Sequence, residues 1–253
     1  MIETHDHGPV REIRMNRPPA NALSPDLVQA LAAHLGEALA GEPKAVIVSG
    51  LPGMFSGGLD VPYRIGLERQ GIRSAWKDFI GLLERIATSP KPVLAAITGH
   101  SPAGGAVMSL FCDYRVMAEG SYKIGLNEVE VGIILPRFMF EALKRLVGER
   151  HAERMATGAL MVPSEEAFRV GLVDELAPLD VVVERAVAWS KRLLALPPRA
   201  MSETRKTARR DLVALFERAD EAYLEELVDL WFSDETQAAL TALVHRLSGR
   251  GTS

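Results

Sequence analysis

The sequence predicts an α/β fold built largely from parallel strands, and three observations support this. The first is a β-branched and aliphatic run, Val93 to Thr98, that ends in glycines and a proline before a helical pattern begins. The second is the spacing of two short apolar segments, Val10 to Met15 and Ala45 to Ser49, on either side of a helical segment, which is typical of parallel strands. The third is a helical pattern from Val181 onward, broken at Pro197-Pro198.

The other elements are predicted from local patterns. Apolar segments around a Gly-Pro turn indicate an opening hairpin. Leucines at every fourth position indicate an amphipathic helix with Ser24 as its N-cap and Pro25 in the first helical position, which ends at Gly41. A longer helix is predicted from Arg64 to Ala87. The remaining predicted elements are a strand over Tyr114 to Ala118 and helices over Phe138 to Leu146 and His151 to Ala156.

Composition and charge narrow the class of protein. The 253 residues carry 29 Lys and Arg against 33 Asp and Glu, a formal net charge of −4, so no overall basic field indicates nucleic-acid binding. The single cysteine, Cys112, excludes an intramolecular disulfide framework and suits a reducing compartment. The N-terminal residues lack a basic region followed by an apolar one, so we expect no signal peptide and a cytoplasmic protein.

One uncharged stretch raises the possibility of a membrane span. Pro92 to Cys112 contains no formally charged residue. However, His100, Pro102 and three glycines interrupt it, whereas a span needs about 20 predominantly apolar residues. We therefore expect no membrane insertion.

Two glycine-rich loops, Gly50 to Asp60 and Gly99 to Gly105, each follow a predicted strand. Glycine lets a ligand approach the backbone closely, and the first N–H groups of a helix have no partner within it, so the second loop is a candidate anion or oxyanion site. An ordinary strand-to-helix turn is the alternative. A serine-hydrolase nucleophile elbow around Ser101 is disfavoured, because the residue after the serine must donate an N–H group and Pro102 has none.

Two carboxylates, Glu128 and Glu130, lie in a mostly apolar segment from Ser121 to Pro136. Burial there would raise the pKa of a carboxyl group toward that of a usable general base, whereas exposure to solvent is the ordinary state of a glutamate. The sequence contains no dinucleotide-binding fingerprint, no P-loop and no pair of Cys or His at metal-ligand spacing in an ordered segment. It therefore predicts neither a cofactor nor a metal.

Seven short motifs follow one another over roughly residues 1 to 180. They are Asn16-Arg17-Pro18, Asn21-Ala22-Leu23-Ser24, Phe55-Ser56-Gly57-Gly58-Leu59-Asp60, Pro102-Ala103-Gly104-Gly105, Cys112-Asp113-Tyr114-Arg115, Gly125-Leu126-Asn127-Glu128 and Ala167 to Glu175. Together, in this order, they resemble the enoyl-CoA hydratase/isomerase (crotonase) superfamily.

The resemblance implies a crotonase-type spiral of ββα units over residues 1–180, around two near-perpendicular sheets. It implies that residues 181–253 form a helical region that builds homotrimers or dimers of trimers and part of the CoA pocket. The implied substrate is an acyl-CoA, with no separate cofactor. By resemblance, the backbone N–H groups of Leu59 and Gly104 form the oxyanion hole. The further substrate contacts that the resemblance implies are Ala22, Ser56, Gly57, Gly58, Asp60 and Asn127.

The resemblance also bears on the reaction. Family hydratases use two glutamates to place and split water, and the position of the first is Val107 in this chain. Valine cannot activate water, whereas Glu128 matches the second glutamate. The motifs look most like the mitochondrial-type 3,2-trans-enoyl-CoA isomerase branch, which needs a single base. The resemblance thus predicts that Glu128 moves a proton from C2 to C4 of a 3-enoyl-CoA.

Several alternatives stay open. Another crotonase-type reaction (hydration, decarboxylation or thioester hydrolysis) uses the same fold, and a non-catalytic family member would bind RNA or protein. Glu130 is the rival base, because it shares a side with Glu128 if their segment is extended. Acyl chain length is undetermined. Basic side chains that are candidates for the CoA phosphates, with solvated surface as the alternative, are Arg17, Arg64, Arg205, Lys206, Arg209 and Arg210.

Overall fold

The computed structural model describes residues 1–249, which form two β-sheets surrounded by helices. The strands are β1 (Ile2–Asp6), β2 (Val10–Met15), β3 (Ala45–Ser49), β4 (Gly53–Met54), β5 (Val93–Ile97), β6 (Gly99–Pro102), β7 (Tyr114–Ala118), β8 (Lys123–Gly125), β9 (Val162–Pro163) and β10 (Glu175–Ala177). The α-helices are α1 (Pro25–Ala40), α2 (Val61–Arg64), α3 (Arg69–Thr88), α4 (Gly104–Leu110), α5 (Arg137–Val147), α6 (Glu149–Thr157), α7 (Ser164–Arg169), α8 (Val182–Leu194), α9 (Pro198–Ala208), α10 (Arg210–Ala214), α11 (Glu221–Trp231) and α12 (Asp234–Gly249). No helix in this range is both long enough and apolar enough to cross a membrane.

After α1, three successive strand pairs contribute one strand to each sheet. The larger sheet has the order β1-β2-β3-β5-β7-β10, in which β1 pairs antiparallel and all later neighbours pair in parallel. The smaller sheet has the order β4-β6-β8-β9, with β4, β6 and β8 parallel. Each of the pairs β3 and β4, β5 and β6, and β7 and β8 therefore precedes a helix. This repeat confirms the predicted α/β spiral of ββα units.

Parallel pairing in the smaller sheet brings three loops to one edge. The register places Pro102 opposite Gly125, so the chain leaves β6 and β8 at the same end of the sheet. The N–H group of Ala103 donates to the carbonyl of Gly125 at 2.8 Å, and that of Phe55 donates to the carbonyl of His100 at 2.9 Å. The two glycine loops and the segment after β8 are therefore neighbours.

Helices pack on both faces of the larger sheet. Val46 and Val48 of β3 belong to one apolar cluster and Ala45 and Ile47 to another, because successive side chains of a strand point to opposite faces. The first cluster includes the buried leucines of α1 and the apolar face of α3, and α8 covers the second. This packing fixes the position of the strand ends that carry the loops.

Two predicted elements differ from the structure. The segment from Arg64 to Ala87, predicted as one helix, is divided between α2 and α3. Gly66 lies in the break, and glycine disfavours a helix by about 1 kcal/mol. The stretch Gly99–Pro102, predicted as a loop, forms β6 because its backbone pairs with β4 and β8, which are distant in sequence.

The C-terminal region is attached to the core by a buried ionic cluster. The carboxylate of Asp113 accepts hydrogen bonds from Arg205 at 2.7 Å and from Arg209 at 3.2 Å. Arg209 also donates to the carbonyl of Phe111 at 2.6 Å. The expectation of a solvated basic surface therefore does not hold for these two arginines. The helices α8, α10 and α11, which follow residue 180, pack directly on the larger sheet or on α3. The division of the chain at residue 180 stays a prediction.

Candidate active site

The second half of the first glycine-rich loop, Phe55 to Asp60, is held by backbone hydrogen bonds to the loop that precedes α1. The N–H group of Gly57 donates to the carbonyl of Ala20 at 2.7 Å, and that of Leu23 donates to the carbonyl of Gly58 at 2.8 Å. Leu23 and Leu59 also form a parallel β-bridge. These backbone bonds fix the path of the chain on both sides of Leu59.

Polar groups inside this loop bond to each other. The hydroxyl of Ser56 is fully buried, donates to the carbonyl of Asn21 at 2.9 Å and accepts from the N–H group of Gly58 at 3.2 Å. The side chain of Asn21 in turn donates to the carbonyl of Phe55 at 3.1 Å. Ser56, Gly57 and Gly58 therefore shape the loop, and the substrate contacts predicted for them stay predictions.

Arg17 joins two more of the predicted substrate-binding residues. Its guanidinium group donates to the carboxylate of Asp60 at 2.7 Å and to the carbonyl of Ala22 at 3.1 Å. Asp60 also caps α2 by accepting from the N–H group of Tyr63 at 3.3 Å. The Asp60 carboxylate thus closes the loop, and direct substrate contacts of Asp60 and Ala22 remain predictions.

The N–H groups of Leu59 and Gly104 have no hydrogen-bond partner among residues 1–249, although those of the adjacent Asp60 and Ala103 do. Gly104 is the first residue of α4, where a helix offers its N–H no acceptor. A β-carbon on Gly104 would lie 3.5 Å from the Leu59 nitrogen, and one on Gly58 would lie 3.3 Å from the Gly104 nitrogen. Two unpaired donors therefore lie side by side, an arrangement suited to a single oxyanion.

Ala103, between β6 and α4, has a backbone conformation that sequence reasoning missed. Its φ of 45° and ψ of −121° are unusual for a residue with a β-carbon and cost about 1–3 kcal/mol. Its N–H group completes the pairing of β6 with Gly125, and its carbonyl accepts the N–H group of Val107 in α4. The turn at Ala103 thus directs Gly104 out of the sheet, and no glycine or asparagine marks it in the sequence.

Glu128 begins a 3-10 turn, Glu128–Val131, directly after β8. Its side chain is buried, and its Oε2 atom has no hydrogen-bond partner among residues 1–249. Burial raises the pKa of Glu128 to about 7. A carboxyl group with a raised pKa is a stronger base than an ordinary glutamate, which suits it to accept and return a proton.

The same turn separates Glu128 from its rival Glu130. The expectation of an extended segment is wrong, because a 3-10 helix has about three residues per turn and directs positions i and i+2 to different sides. Glu130 is exposed and accepts a hydrogen bond from the side-chain amide of Asn127 at 3.3 Å. The Oδ1 atom of Asn127 is buried and has no partner within the described residues. Burial therefore favours Glu128 as the base.

The position of a second glutamate is apolar. Val107 is 1% exposed in α4, whose sequence from Gly104 to Leu110 contains no carboxylate. His100 uses its Nδ1 atom to accept the N–H group of Lys123 at 3.1 Å. Burial raises the pKa of the Cys112 thiol to about 12, so this group stays protonated. These positions leave Glu128 as the candidate base.

The burial of Arg64, which follows the first glycine-rich loop, differs from both expectations for this side chain. It is fully buried, which contradicts both solvated surface and contact with CoA phosphates. Its Nη2 atom donates to the carbonyl of Leu23 at 3.4 Å, while Nε and Nη1 have no partner among residues 1–249. Burial lowers the pKa of Arg64 to about 10. No sequence signal distinguishes it from a surface arginine.

A cavity of about 700 Å³ lies beyond the Glu128 turn, between the start of α5 and the helices α10 and α11. Apolar and aromatic residues that line it include Leu135, Phe138, Tyr223 and Leu227. No residue predicted to bind substrate lines it. Its wall begins at Ile134, in the segment that connects the turn to α5.

A family model described as enoyl-CoA hydratase/isomerase matches residues 6–248. The chain belongs to the enoyl-CoA hydratase/isomerase family. The match extends over both glycine loops, the Glu128 turn and the C-terminal helices, and it confirms the resemblance found in the sequence motifs.

Individual family members with two different activities are similar to this chain. Enoyl-CoA delta isomerase 1, mitochondrial, of Homo sapiens is 31% identical over 251 residues, which cover 98% of this chain and 83% of the human protein. The probable enoyl-CoA hydratase EchA17 of Mycobacterium tuberculosis is 31% identical over 189 residues, which cover 74% and 72% of the two chains. The crystal structure of human mitochondrial delta3-delta2-enoyl-CoA isomerase has a TM-score of 0.93 at 30% identity, with 98% of each chain covered.

Proposed function

We propose that this family member is an enoyl-CoA isomerase that converts 3-enoyl-CoA to 2-enoyl-CoA by a single-base 1,3 proton shift. One observation carries the proposal: the buried carboxylate of Glu128, whose Oε2 atom has no partner among residues 1–249, follows β8 at the sheet edge that also carries the unpaired N–H groups of Leu59 and Gly104, whereas the buried carboxylate of Asp60 is paired with Arg17. A proton shift needs one base, whereas family hydratases use two, and Val107 occupies the other position. The similarity to mitochondrial isomerases supports the same reaction.

The two N–H groups would hold the thioester oxygen of the substrate. As the proton at C2 leaves, negative charge develops on this oxygen, and donors already in place need no reorganisation to stabilise it. Each such donor contributes about 3–4 kcal/mol to lowering the barrier. The backbone bonds around Leu59 and the turn at Ala103 hold the two donors in position.

Glu128 would carry the proton between the two carbons. It takes the proton from C2, the C3–C4 double bond becomes part of a dienolate, and the same carboxyl group returns the proton to C4, leaving a C2–C3 double bond. A pKa of about 7 suits both steps, since the group must be a stronger base than an ordinary glutamate and still release the proton. The reaction requires neither water nor a cofactor.

Purified protein incubated separately with 3-enoyl-CoA and 2-enoyl-CoA tests the proposal. We expect the first to be isomerised and the second to be hydrated slowly or not at all. Rapid hydration of 2-enoyl-CoA would establish the hydratase alternative, which the similarity to EchA17 favours. Inertness toward both substrates would favour another crotonase-type reaction or a non-catalytic binding role.

We also propose a cytoplasmic homotrimer or dimer of trimers, assembled through residues 181–253, as the family resemblance implies. Light scattering of the purified protein is expected to give three or six times the mass of one chain, and a monomeric mass would contradict the assembly.

Since a single-base proton shift needs no metal, activity should be unchanged after dialysis against EDTA.

A further inference from the structure

The turn that carries Glu128 is held from the far end of the chain. The hydroxyl of Thr236, in the first turn of α12, donates to the carbonyl of Gly132 at 2.7 Å. Thr236 is 4% exposed, and its oxygen lies 3.0 Å from the hydroxyl of Ser233, which can donate either to it or to the carbonyl of Leu230 at 2.9 Å. A residue more than one hundred positions away in sequence thus bonds to the end of the Glu128 turn.

The bond from Thr236 reaches the peptide group that closes the turn. The carbonyl of Gly132 and the N–H group of Ile133 belong to the same planar peptide unit. The carbonyl accepts from Thr236, and the N–H group donates to the carbonyl of Glu128 at 3.0 Å. The Thr236 hydroxyl therefore fixes the orientation of the peptide that holds the Glu128 backbone.

Gly132 lets α12 approach the turn this closely. Its φ of 74° lies in the left-handed region, which favours glycine. A β-carbon at this position would lie 2.5 Å from the β-carbon of Ala239 and 3.5 Å from the Cα of Thr236. Both the backbone conformation and the space thus exclude a side chain between the turn and α12.

We propose that Thr236 is a positioning residue for the Glu128 carboxylate, and that the first turn of α12 acts as a clamp on the catalytic turn. The expected effect of Thr236 on kcat rests on the proposed function. The expected effect of Thr236 on the position and pKa of Glu128 does not depend on the reaction.

The charged groups around the turn are exposed. Glu130 on the turn itself and Glu235 on α12 face solvent, and α6, which also packs against the turn, buries Ala152, Met155 and Ala156. The pKa of Glu128 is raised by burial and not by a neighbouring charged group. Loosening the clamp would admit water to the carboxyl group and lower its pKa toward the ordinary value.

Three variants test the clamp. Thr236→Val removes the hydroxyl at nearly constant shape, and Thr236→Ser restores a hydroxyl. Thr241→Val is the matched control, because the exposed Thr241 lies on the same helix and donates only to the carbonyl of Gln237 in that helix, at 2.8 Å. For isomerisation of 3-enoyl-CoA, we expect Thr236→Val to lower kcat about 10- to 100-fold, as expected for a displaced catalytic group. KM should change less than about twofold, and the apparent pKa in the kcat profile should fall.

Thr236→Ser should recover most of kcat and the pH profile, and Thr241→Val should match the unaltered protein in both. Equal kcat and pH profiles in Thr236→Val and Thr241→Val would overturn the inference. If Thr236→Val fails to fold, Ser233→Ala replaces it, since that change removes the hydroxyl that can donate to the Thr236 oxygen. It should lower the apparent pKa in the same direction by a smaller amount, and an unshifted profile would again overturn the inference.

A readout without substrate separates this inference from the proposed function. Titration of ¹³C-labelled glutamate carboxyl groups by NMR, with the Glu128 signal assigned from Glu128→Gln, measures the Glu128 pKa directly. A lower pKa in Thr236→Val supports the clamp even if the protein proves inactive toward 3-enoyl-CoA. An unchanged pKa in a protein that does isomerise 3-enoyl-CoA overturns the clamp and leaves the function intact.

Discussion

A carboxyl group surrounded by apolar side chains has a different chemistry from the same group in water. The side chain of Glu128 is buried, and its Oε2 atom has no protein partner among residues 1–249. The ionised form loses its hydration there, so the neutral form is favoured and the pKa rises. The exposed Glu130, two residues away, lacks this environment.

Replacing Glu128 by Gln should abolish the proposed isomerase activity. The amide cannot accept the C2 proton, and losing a general base typically costs about 10²- to 10⁴-fold in rate. Steady-state kinetics on 3-enoyl-CoA, with exchange of the C2 proton in heavy water, measure the loss. The matched control Glu130→Gln should keep kcat within about twofold. The reverse outcome would transfer the role of base to Glu130.

Burial of Glu128 also makes the free energy of unfolding depend on pH. Its pKa is about 7 in the folded chain against an ordinary 4.5, so between these values the folded state binds more protons than the unfolded state. Stability from this group is fully present below about pH 4.5 and is lost as the pH rises through about 7, by up to about 3 kcal/mol. Urea unfolding at pH 5 and pH 8 should show this decline in the unaltered protein and in Glu130→Gln, but not in Glu128→Gln.

At the scale of elements, the junction between β6 and α4 determines the position of the Gly104 N–H group, which we propose as the second oxyanion donor. β6 is short and pairs on both sides, with β4 and with β8, so its end is fixed before α4 begins. The chain then reverses at Ala103, which adopts a positive φ despite its β-carbon. Backbone strain of this kind persists where surrounding pairs determine the conformation, and it is common next to functional groups.

Replacing Ala103 by Gly should separate stability from activity. Glycine adopts a φ of 45° without strain, so relief of strain raises the free energy of unfolding by about 1 kcal/mol, offset in part by greater freedom of the unfolded chain. The more flexible junction holds Gly104 less firmly, so kcat should fall several-fold. Ala106→Gly in the regular part of α4 is the control and should destabilise by about 1 kcal/mol or more. A stabilised variant with unchanged kcat would show that the strain does not position the donor.

At the scale of the whole molecule, the C-terminal helices pack against the part of the core that carries Glu128. α12 contacts the Glu128 turn, and α10 and α11 form one side of the 700 Å³ cavity beyond it. Asp113, directly before β7, binds Arg205 in α9 and Arg209 between α9 and α10. The turn that carries Glu128 thus contacts a helix that is far from it in sequence.

Replacing Asp113 by Ala should destabilise the protein strongly. The substitution leaves the buried Arg209 without its counter-ion, and breaking a buried ion pair in this way costs about 3–5 kcal/mol. Chemical denaturation measures the change in the free energy of unfolding. Asp229→Asn, which breaks the exposed pair with Arg69, is the control and should cost less than about 1 kcal/mol. Similar losses in the two variants would refute a structural role for the buried cluster.

Local patterns in the sequence determined the α/β class, most of the helices and the motif order that indicates the family. The apolar spacing in α1 and α3 reflects which side of each helix is buried, so it is readable from the sequence. The absence of a carboxylate at Val107 and the presence of Glu128 are likewise facts of the sequence. These two residues are the basis for proposing a single-base reaction.

Only the tertiary structure decided which glutamate is buried, that Gly99–Pro102 is a strand, and that Arg64 lies inside the molecule. These features involve groups that are distant in sequence: β6 pairs with β4 and β8, and the end of the Glu128 turn accepts a hydrogen bond from Thr236. Burial and strand pairing are properties of the assembled chain, whereas periodicity is a property of a few consecutive residues. The sequence alone identifies Glu128 as a candidate base. The burial that raises its pKa, and with it the proposed reactivity, comes from the fold around it.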